Sequence, residues 1–168
     1  MNKKIILTLA SSLLIITGII AAYLLTNMTN TTTKVYVDPD KVVRSIGQDF
    51  IVNISISNVA NLYAWEFKLG WNMTVLELVN VTEGNLPKKA GSTFFSSKVN
   101  ETSSHVVIDC TLLGSSTGAN GNGILASIQF HVKNKGVCDL APYETKLVDA
   151  FDQMITHVVN GGRFSASS

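Results

Sequence analysis

The sequence predicts an all-β fold, an antiparallel sandwich of short strands. Apolar and polar residues alternate along four segments with the period of a half-buried strand. Glycine, asparagine and proline residues that favour turns separate these segments, and nothing beyond the first 25 residues has the periodicity of a helix. This combination favours antiparallel sheets that each bury one face against a shared core.

The four alternating segments lie between residues 50 and 132. Their apolar sets are Phe50, Val52, Ile54 and Ile56; Trp65, Phe67, Leu69 and Trp71; Val106, Ile108, Cys110 and Leu112; and Ile124, Ala126, Ile128, Phe130 and Val132. We interpret Trp65 and Trp71 as core residues rather than as a sugar platform, because they share the parity of their apolar neighbours. The chain from Lys34 onward has a length that suits eight or nine strands.

The first 25 residues predict a membrane anchor or a signal segment. Residues 5–25 form an uncharged run of 21 residues, and Lys3 and Lys4 precede it. A helix of this length spans the roughly 30 Å hydrocarbon core, whereas a signal peptide has an apolar region of about 7–15 residues. The pair Ala21-Ala22 leaves cleavage as the alternative. In both cases we expect the domain outside the cell, anchored at the surface or secreted.

A linker rich in Thr and Asn is predicted at residues 26–33, followed by one domain at residues 34–168. The chain has 14 asparagines and contains six Asn-x-Ser/Thr sequons. We expect several of them to carry glycans, although a chain so rich in Asn and Thr also produces sequons by chance. The six asparagines are Asn27, Asn30, Asn53, Asn72, Asn80 and Asn100.

Composition argues against several classes of function. Lys and Arg number 13 against 12 Asp and Glu, so there is no basic field to hold nucleic acid. Two cysteines and three scattered histidines do not have the spacing of a zinc site, and we expect no cofactor. The acids show no convergent pair for glycoside hydrolysis and no nucleophile motif is present, so we expect no enzyme activity. The pairs Asp38/Asp40 and Asp149/Asp152 are typical of turns.

Four motifs, taken in order, resemble the cohesin domain family. Residues 61–78 contain an alternating strand, a turn and a Val-Leu-Glu strand, and residues 82–86 form an acidic-glycine turn. Residues 123–132 combine a glycine, an alanine-bearing strand and a Phe-x-Val, and residues 160–164 begin with Asn-Gly-Gly. The resemblance covers residues 35–164 and points to an archaeal-type, surface-anchored member. Asn72-Met73 departs from the Asp-Pro that is commoner in the family.

The resemblance implies a nine-stranded jelly roll of the carbohydrate-binding-module-like superfamily that binds a partner module, the dockerin. In the family, the partner lies on the sheet built from strands eight, three, six and five. The positions carried over are Ala64, Glu66 and Lys68 on strand three, and Val107, Asp109 and Thr111 on strand six. Alternating polar residues are also the ordinary state of any solvated sheet face, so a surface without a partner is the alternative.

Two other functions share this fold. One is a carbohydrate-binding module with a surface polysaccharide as its partner, and the other is a structural subunit of the cell surface. The dockerin-binding function would itself link the domain to assembly at the cell surface and to polysaccharide degradation. The tyrosines Tyr36, Tyr63 and Tyr143 are dispersed in the sequence, which does not favour a sugar platform. The chain has no EF-hand loop, so the calcium dependence of such an assembly would belong to the partner.

The two cysteines, Cys110 and Cys138, leave two states open. Export favours a disulfide between them. The family order instead places Cys110 on strand six and Cys138 at the start of strand eight, with strand three between them. Two inter-strand steps of about 4.8 Å separate such residues by about 9–10 Å, beyond the roughly 7 Å limit for a bridge.

Overall fold

The computed structural model describes residues 32–100, 104–114 and 117–167. The chain divides after Thr31 into two units, and every described residue belongs to the second. The predicted anchor at residues 1–25 and the linker residues 26–31 lie outside the described residues. Within the described ranges, no helix is long and apolar enough to cross a membrane.

The described residues form eleven strands and one 3₁₀ helix, Pro87–Lys89, which confirms the all-β prediction. The strands are β1 (Thr33–Asp38), β2 (Lys41–Ser45), β3 (Asp49–Gly70), β4 (Leu76–Glu83), β5 (Thr93–Asn100), β6 (His105–Leu112), β7 (Ala119–Val132), β8 (Val137–Leu140), β9 (Pro142–Asp149), β10 (His157–Asn160) and β11 (Gly162–Ser167). Nine strands were expected. The count differs partly because β2, β8 and β10, with four or five residues each, are too short to show a clear alternation.

Strand β3 joins two segments that the sequence presents as separate strands. It runs for 22 residues without interruption. Its first part pairs with β1 through residues 53–57 and with β7 through residues 49–62, and its last part, residues 62–70, pairs with β6 and β9. One strand therefore contributes to two groups of neighbours.

The strands form an eight-stranded sheet and a three-stranded sheet, the latter in the order β2–β11–β8. Most neighbours are antiparallel, as predicted, but β1 pairs with β10 and β2 pairs with β11 in parallel. Both parallel pairs join the start of the domain to its end. Because a long stretch of chain separates these partners, no hairpin dictates an antiparallel direction.

The core lies between the two sheets and is held by aromatic side chains. Phe164 of the three-stranded sheet stacks on Phe50 of the eight-stranded sheet, with ring centroids 4.8 Å apart. Phe130 stacks on Phe50 in turn and contacts Trp71. Trp65 and Trp71 are only 3% and 7% exposed, which confirms their interpretation as core residues.

A β-bulge in β7 overturns one predicted orientation. The sequence pattern assigns Ile124 to the core and Leu125 to the surface, but Leu125 is fully buried and Ile124 is half-buried. Ile54 pairs with Ala126 and the next residue, Ser55, pairs with Ile124. The register shift leaves Leu125 as an extra residue, which reverses the alternation N-terminal to it.

Two asparagines shape the bend at the middle of β3. Asn58 and Asn61 have φ angles of 55° and 58°, a left-handed conformation that asparagine tolerates. Their backbone N–H groups donate to the side-chain oxygens of Asn122 and Asn120, at 2.8 and 2.9 Å. Asn61 Oδ1 accepts in turn from the N–H of Gly118 at 2.7 Å. Side-chain amides thus replace the ladder bonds that the bend removes.

We expect Gly118→Ala to destabilise the domain, because a Cβ at Gly118 would lie 2.2 Å from the carbonyl of Asn61. Overpacking against backbone costs about 1–3 kcal/mol of unfolding free energy. The matched control is Gly70→Ala, whose Cβ would meet its nearest neighbours at 3.7 Å. Chemical denaturation of both variants measures the difference, and equal stability of the two would contradict the close approach.

Both cysteines are free and buried. Cys110 lies on β6, with its Sγ 3.7 Å from Glu83 Oε1. The family order places Cys138 at the start of a strand beside β3, and this expectation is wrong. Cys138 lies on β8 in the three-stranded sheet, opposite Phe164, and its Sγ accepts from the N–H of Asn72. The two cysteines therefore belong to different sheets and have different neighbours.

We predict that alkylation in the native state at pH 8 labels neither cysteine, and that unfolding without reductant yields two labels. Burial raises the pKa of the Cys110 thiol to about 12, and the Glu83 carboxylate adds to this shift. Burial also raises the pKa of Cys138, partly offset by the hydrogen bond from Asn72. The reactive thiolate is therefore scarce at both positions. Mass spectrometry counts the labels, and zero labels after unfolding would reveal a disulfide.

Candidate functional site

The six residues carried over from the resemblance lie on one face of the eight-stranded sheet. They form three cross-strand pairs between β3 and β6: Ala64–Thr111, Glu66–Asp109 and Lys68–Val107. All six are half-buried. Their odd-numbered neighbours on β3, such as Trp65 and Phe67, are buried on the opposite side of the strand. The period of the pleat puts the three residues of each strand on this face, and the β3–β6 register brings the two sets together.

Strands β9 and β5 extend the same face on both sides, so that β9, β3, β6 and β5 lie side by side. This is the order that the resemblance implies, with its strand eight numbered β9 here. We call the first row of side chains across the four strands the apolar row: Val148, Ala64, Thr111 and Phe94. The next row is the charged row: Lys146, Glu66, Asp109 and Ser96.

A pocket of about 280 Å³ lies where the two rows meet. Its lining combines small or apolar residues of one row with charged residues of the other: Ala64, Thr111, Val148, Glu66, Asp109 and Lys146, with Trp65 and Cys110 below them. The indole N–H of Trp65 is buried and has no hydrogen-bond partner among the described residues. The pocket is shallow and wide enough for the side chain of a partner, and its rim carries charges of both signs.

Two ion pairs between β3 and β9 orient the charges of this face. Lys146 Nζ lies 2.8 Å from Glu66 Oε1, and Lys68 Nζ lies 2.6 Å from Glu144 Oε2. The hydrogen bond to Glu144 raises the pKa of Lys68, and the same bond lowers the pKa of Glu144. Both shifts favour the charged forms, so the Lys68–Glu144 pair stays ionised across the neutral range.

Sequence reasoning missed Phe94, although its side chain is 58% exposed at the end of the apolar row. Phe94 and Phe95 are adjacent, so strand alternation requires one of them to face outward. Pairing with Thr111 places Phe94 on the outer face, while Phe95 pairs with Cys110 and packs against the core. The adjacent phenylalanines were the available signal, but nothing in the sequence decides which one is exposed.

The described sequon asparagines lie away from the centre of this face. Asn53 is half-buried on β3 and accepts a hydrogen bond from Ser127, and the exposed Asn80 accepts one from the N–H of Val81. Asn72 holds a turn through two bonds from Thr74, and Asn100 is exposed at the end of β5. Asn27 and Asn30 lie outside the described residues. Glycosylation stays a prediction at all six positions.

The histidines and the candidate metal ligands of the described residues are dispersed. The three histidines lie on β6, β7 and β10. His131 Nδ1 is 2.6 Å from Asp49 Oδ1, and this hydrogen bond lowers the pKa of Asp49. In residues 32–100, 104–114 and 117–167, no group of three or more His, Cys, Asp or Glu side chains could hold a metal ion.

Comparison with known families gives a match over most of the chain. The family model described as Cohesin domain matches residues 35–153, which include all six residues of the β3–β6 pairs. No curated protein sequence matches the chain.

Solved structures share the fold at low sequence identity. A non-cellulosomal cohesin from the hyperthermophilic archaeon Archaeoglobus fulgidus is 19% identical, with a TM-score of 0.70 over 82% of this chain and 93% of that one. A chain of a type I cohesin–dockerin complex from Clostridium thermocellum is 14% identical, with a TM-score of 0.66 over 81% and 95%. The sixth cohesin of scaffoldin B from Acetivibrio cellulolyticus, solved with a dockerin, is 15% identical, with a TM-score of 0.67 over 82% and 100%.

Proposed function

The chain belongs to the cohesin domain family, and we propose that it docks a dockerin-like module of a partner protein on the β9–β3–β6–β5 face. Cohesin domains are non-catalytic modules that mediate dockerin binding in protein assemblies. The observation that supports this face is the pocket between the apolar row and the charged row. It offers apolar contact and oriented charges within one small area, as the centre of a protein interface does.

The shape of the apolar row favours a convex partner. Its middle members, Ala64 and Thr111, are small, whereas Phe94 at one end is large and well exposed. A side chain of the partner can therefore pack on Ala64, with the bulkier side chains of Val148 and Phe94 on either side of it. Buried aromatic and apolar anchors of this kind supply most of the binding energy in protein interfaces.

The charged row supports specificity for a partner with complementary charges. Asp109 lies beside the Lys146–Glu66 pair, so the middle of the face carries two carboxylates and one ammonium group. Charges at such positions steer encounter and penalise partners that bring a like charge. We expect the dockerin-like partner to place a cationic or hydrogen-bond-donating side chain near Asp109.

The cellular setting is part of the same proposal. The uncharged run at residues 5–25 supports a membrane anchor with the domain outside, or a secreted domain if that run is cleaved. At the cell surface, the domain would hold a dockerin-bearing protein, such as one that acts on polysaccharides. A carbohydrate-binding module and a structural surface subunit are the competing functions for this fold.

We predict that the immobilised chain binds at least one member of a panel of dockerin modules saturably, and that Asp109→Arg and Glu66→Arg each weaken this binding by about thirtyfold or more. An unpaired charge placed in an interface costs about 2–5 kcal/mol of binding free energy. Surface plasmon resonance measures the affinities. The matched control is Glu77→Arg, an exposed position on β4 outside the face, which should leave binding unchanged.

The same experiment separates the competing functions. Soluble and insoluble polysaccharides are tested beside the dockerins, with the same three variants. Polysaccharide binding that survives Asp109→Arg and Glu66→Arg, without any dockerin binding, would replace the proposal with the carbohydrate-binding function. Self-association without either ligand would favour the structural subunit.

A further inference from the structure

The turn between β9 and β10, residues 150–156, is held in shape by one carboxylate. Asp149 Oδ1 accepts hydrogen bonds from the backbone N–H groups of Phe151 and Gln153, at 2.8 and 2.9 Å. The N–H of Asp149 donates to the carbonyl of Gln153 at 2.9 Å, and Gln153 Nε2 donates to the carbonyl of Phe151. Asp152, between Phe151 and Gln153 in the sequence, has a left-handed φ angle of 59°. The turn therefore has a defined conformation in the free domain.

This ordered turn presents two large apolar side chains to solvent. Phe151 is 74% exposed and Met154 is 63% exposed, the two highest values among the large apolar side chains of the described residues. Ile155, the next residue, packs against the core, and its N–H donates to the carbonyl of Leu147. These contacts fix the base of the turn, while the two apolar side chains stay exposed to solvent.

Pairing places Met154 at the end of the apolar row. Met154 forms an antiparallel bridge with Val148, and Val148 pairs with Ala64. The row therefore runs from Met154 through Val148, Ala64 and Thr111 to Phe94. Four inter-strand steps of about 4.8 Å separate its ends by about 19 Å. Both ends are large and exposed, and the three residues between them are half-buried.

The gap between the two ends fits an α-helix. A helix with its side chains has a diameter of about 10–12 Å, so it can lie over Ala64 and Thr111 with Phe94 on one side and Met154 on the other. The ion pairs Lys146–Glu66 and Lys68–Glu144 lie on one side of the apolar row only. The helix that fits therefore crosses both rows, with apolar residues over the apolar row and polar residues about one turn further along its axis, over the charges.

We infer that the turn at residues 150–156 is a second wall of the docking surface, opposite Phe94, where Phe151 and Met154 pack against apolar residues of a helix of the dockerin-like partner. Asp149 acts as a positioning residue that holds this wall in its binding conformation before the partner arrives. The inference rests on the proposed function. Preorganisation of this kind improves affinity because the turn loses little freedom on binding.

The test uses the full chain and a dockerin module that binds it in the panel experiment. Phe151→Ala and Met154→Ala should each weaken binding by about tenfold or more, since the few anchor residues that dominate a protein interface cost at least that much when truncated to alanine. The matched control is Ile51→Ala, an apolar residue that is 55% exposed on the first part of β3. It should bind as the unchanged chain does, and circular dichroism should show all three variants folded.

Asp149 provides a second readout that separates positioning from packing. Asp149→Ala removes both hydrogen bonds to the turn and should weaken binding, whereas Asp149→Asn keeps an oxygen acceptor at the same place and should restore it. Wild-type affinity in Phe151→Ala and Met154→Ala would overturn the inference and leave the proposed function standing. Absence of binding to every dockerin in the panel would remove the proposed function itself. A dimer that dissociates on Phe151→Ala would reassign the wall to contact with a second copy.

Discussion

The bend in β3 is the constraint on which the rest of the domain depends. One strand pairs with β1 and β7 in its first part and with β6 and β9 in its last part. Between Ile56 and Leu62 its register with β7 shifts twice, and irregularities of this kind bend a strand. Left-handed asparagines make the change, and the amides of Asn120 and Asn122 satisfy the backbone there. Because the outer side chains of β3 on the proposed docking face lie just beyond this bend, its geometry sets their direction.

The sequence predicts side-chain orientation well wherever the strand period is unbroken. The buried sets on β3 and β6 follow the predicted parity because successive residues of a strand must face opposite sides. Prediction fails where a local irregularity or a distant partner decides the outcome. The bulge reverses Ile124 and Leu125, the parallel pairs join strands far apart in the sequence, and Cys138 belongs to another sheet. None of these features has a signal within a short window of sequence.

In the candidate site too, the residues on regular strands are predictable from the sequence, and those that depend on a distant partner or a turn are not. Parity together with the family resemblance identifies the six residues on β3 and β6, which the register then pairs. The ends of the apolar row could not be found in this way. The exposure of Phe94 depends on the register of β5, and that of Met154 depends on a turn that Asp149 shapes through backbone contacts. Sequence patterns predict the floor of a site on a regular sheet better than the walls that loops and edge strands contribute.

On the proposed docking face, the ion pairs would contribute more to recognition than to stability. Exposed pairs such as Lys68–Glu144 add little to the folding free energy, since solvent screens them and ordering two long side chains costs entropy. Their effect is geometric: each lysine of β3 or β9 is held by a carboxylate of the other strand, so the charges have fixed positions beside the apolar row. A partner that matches these positions meets charges already in place, whereas one with the reverse pattern must break the pairs and leave them unsatisfied. In the proposed complex, the apolar anchors would supply affinity and the neighbouring ion pairs would decide which partner helix is accepted.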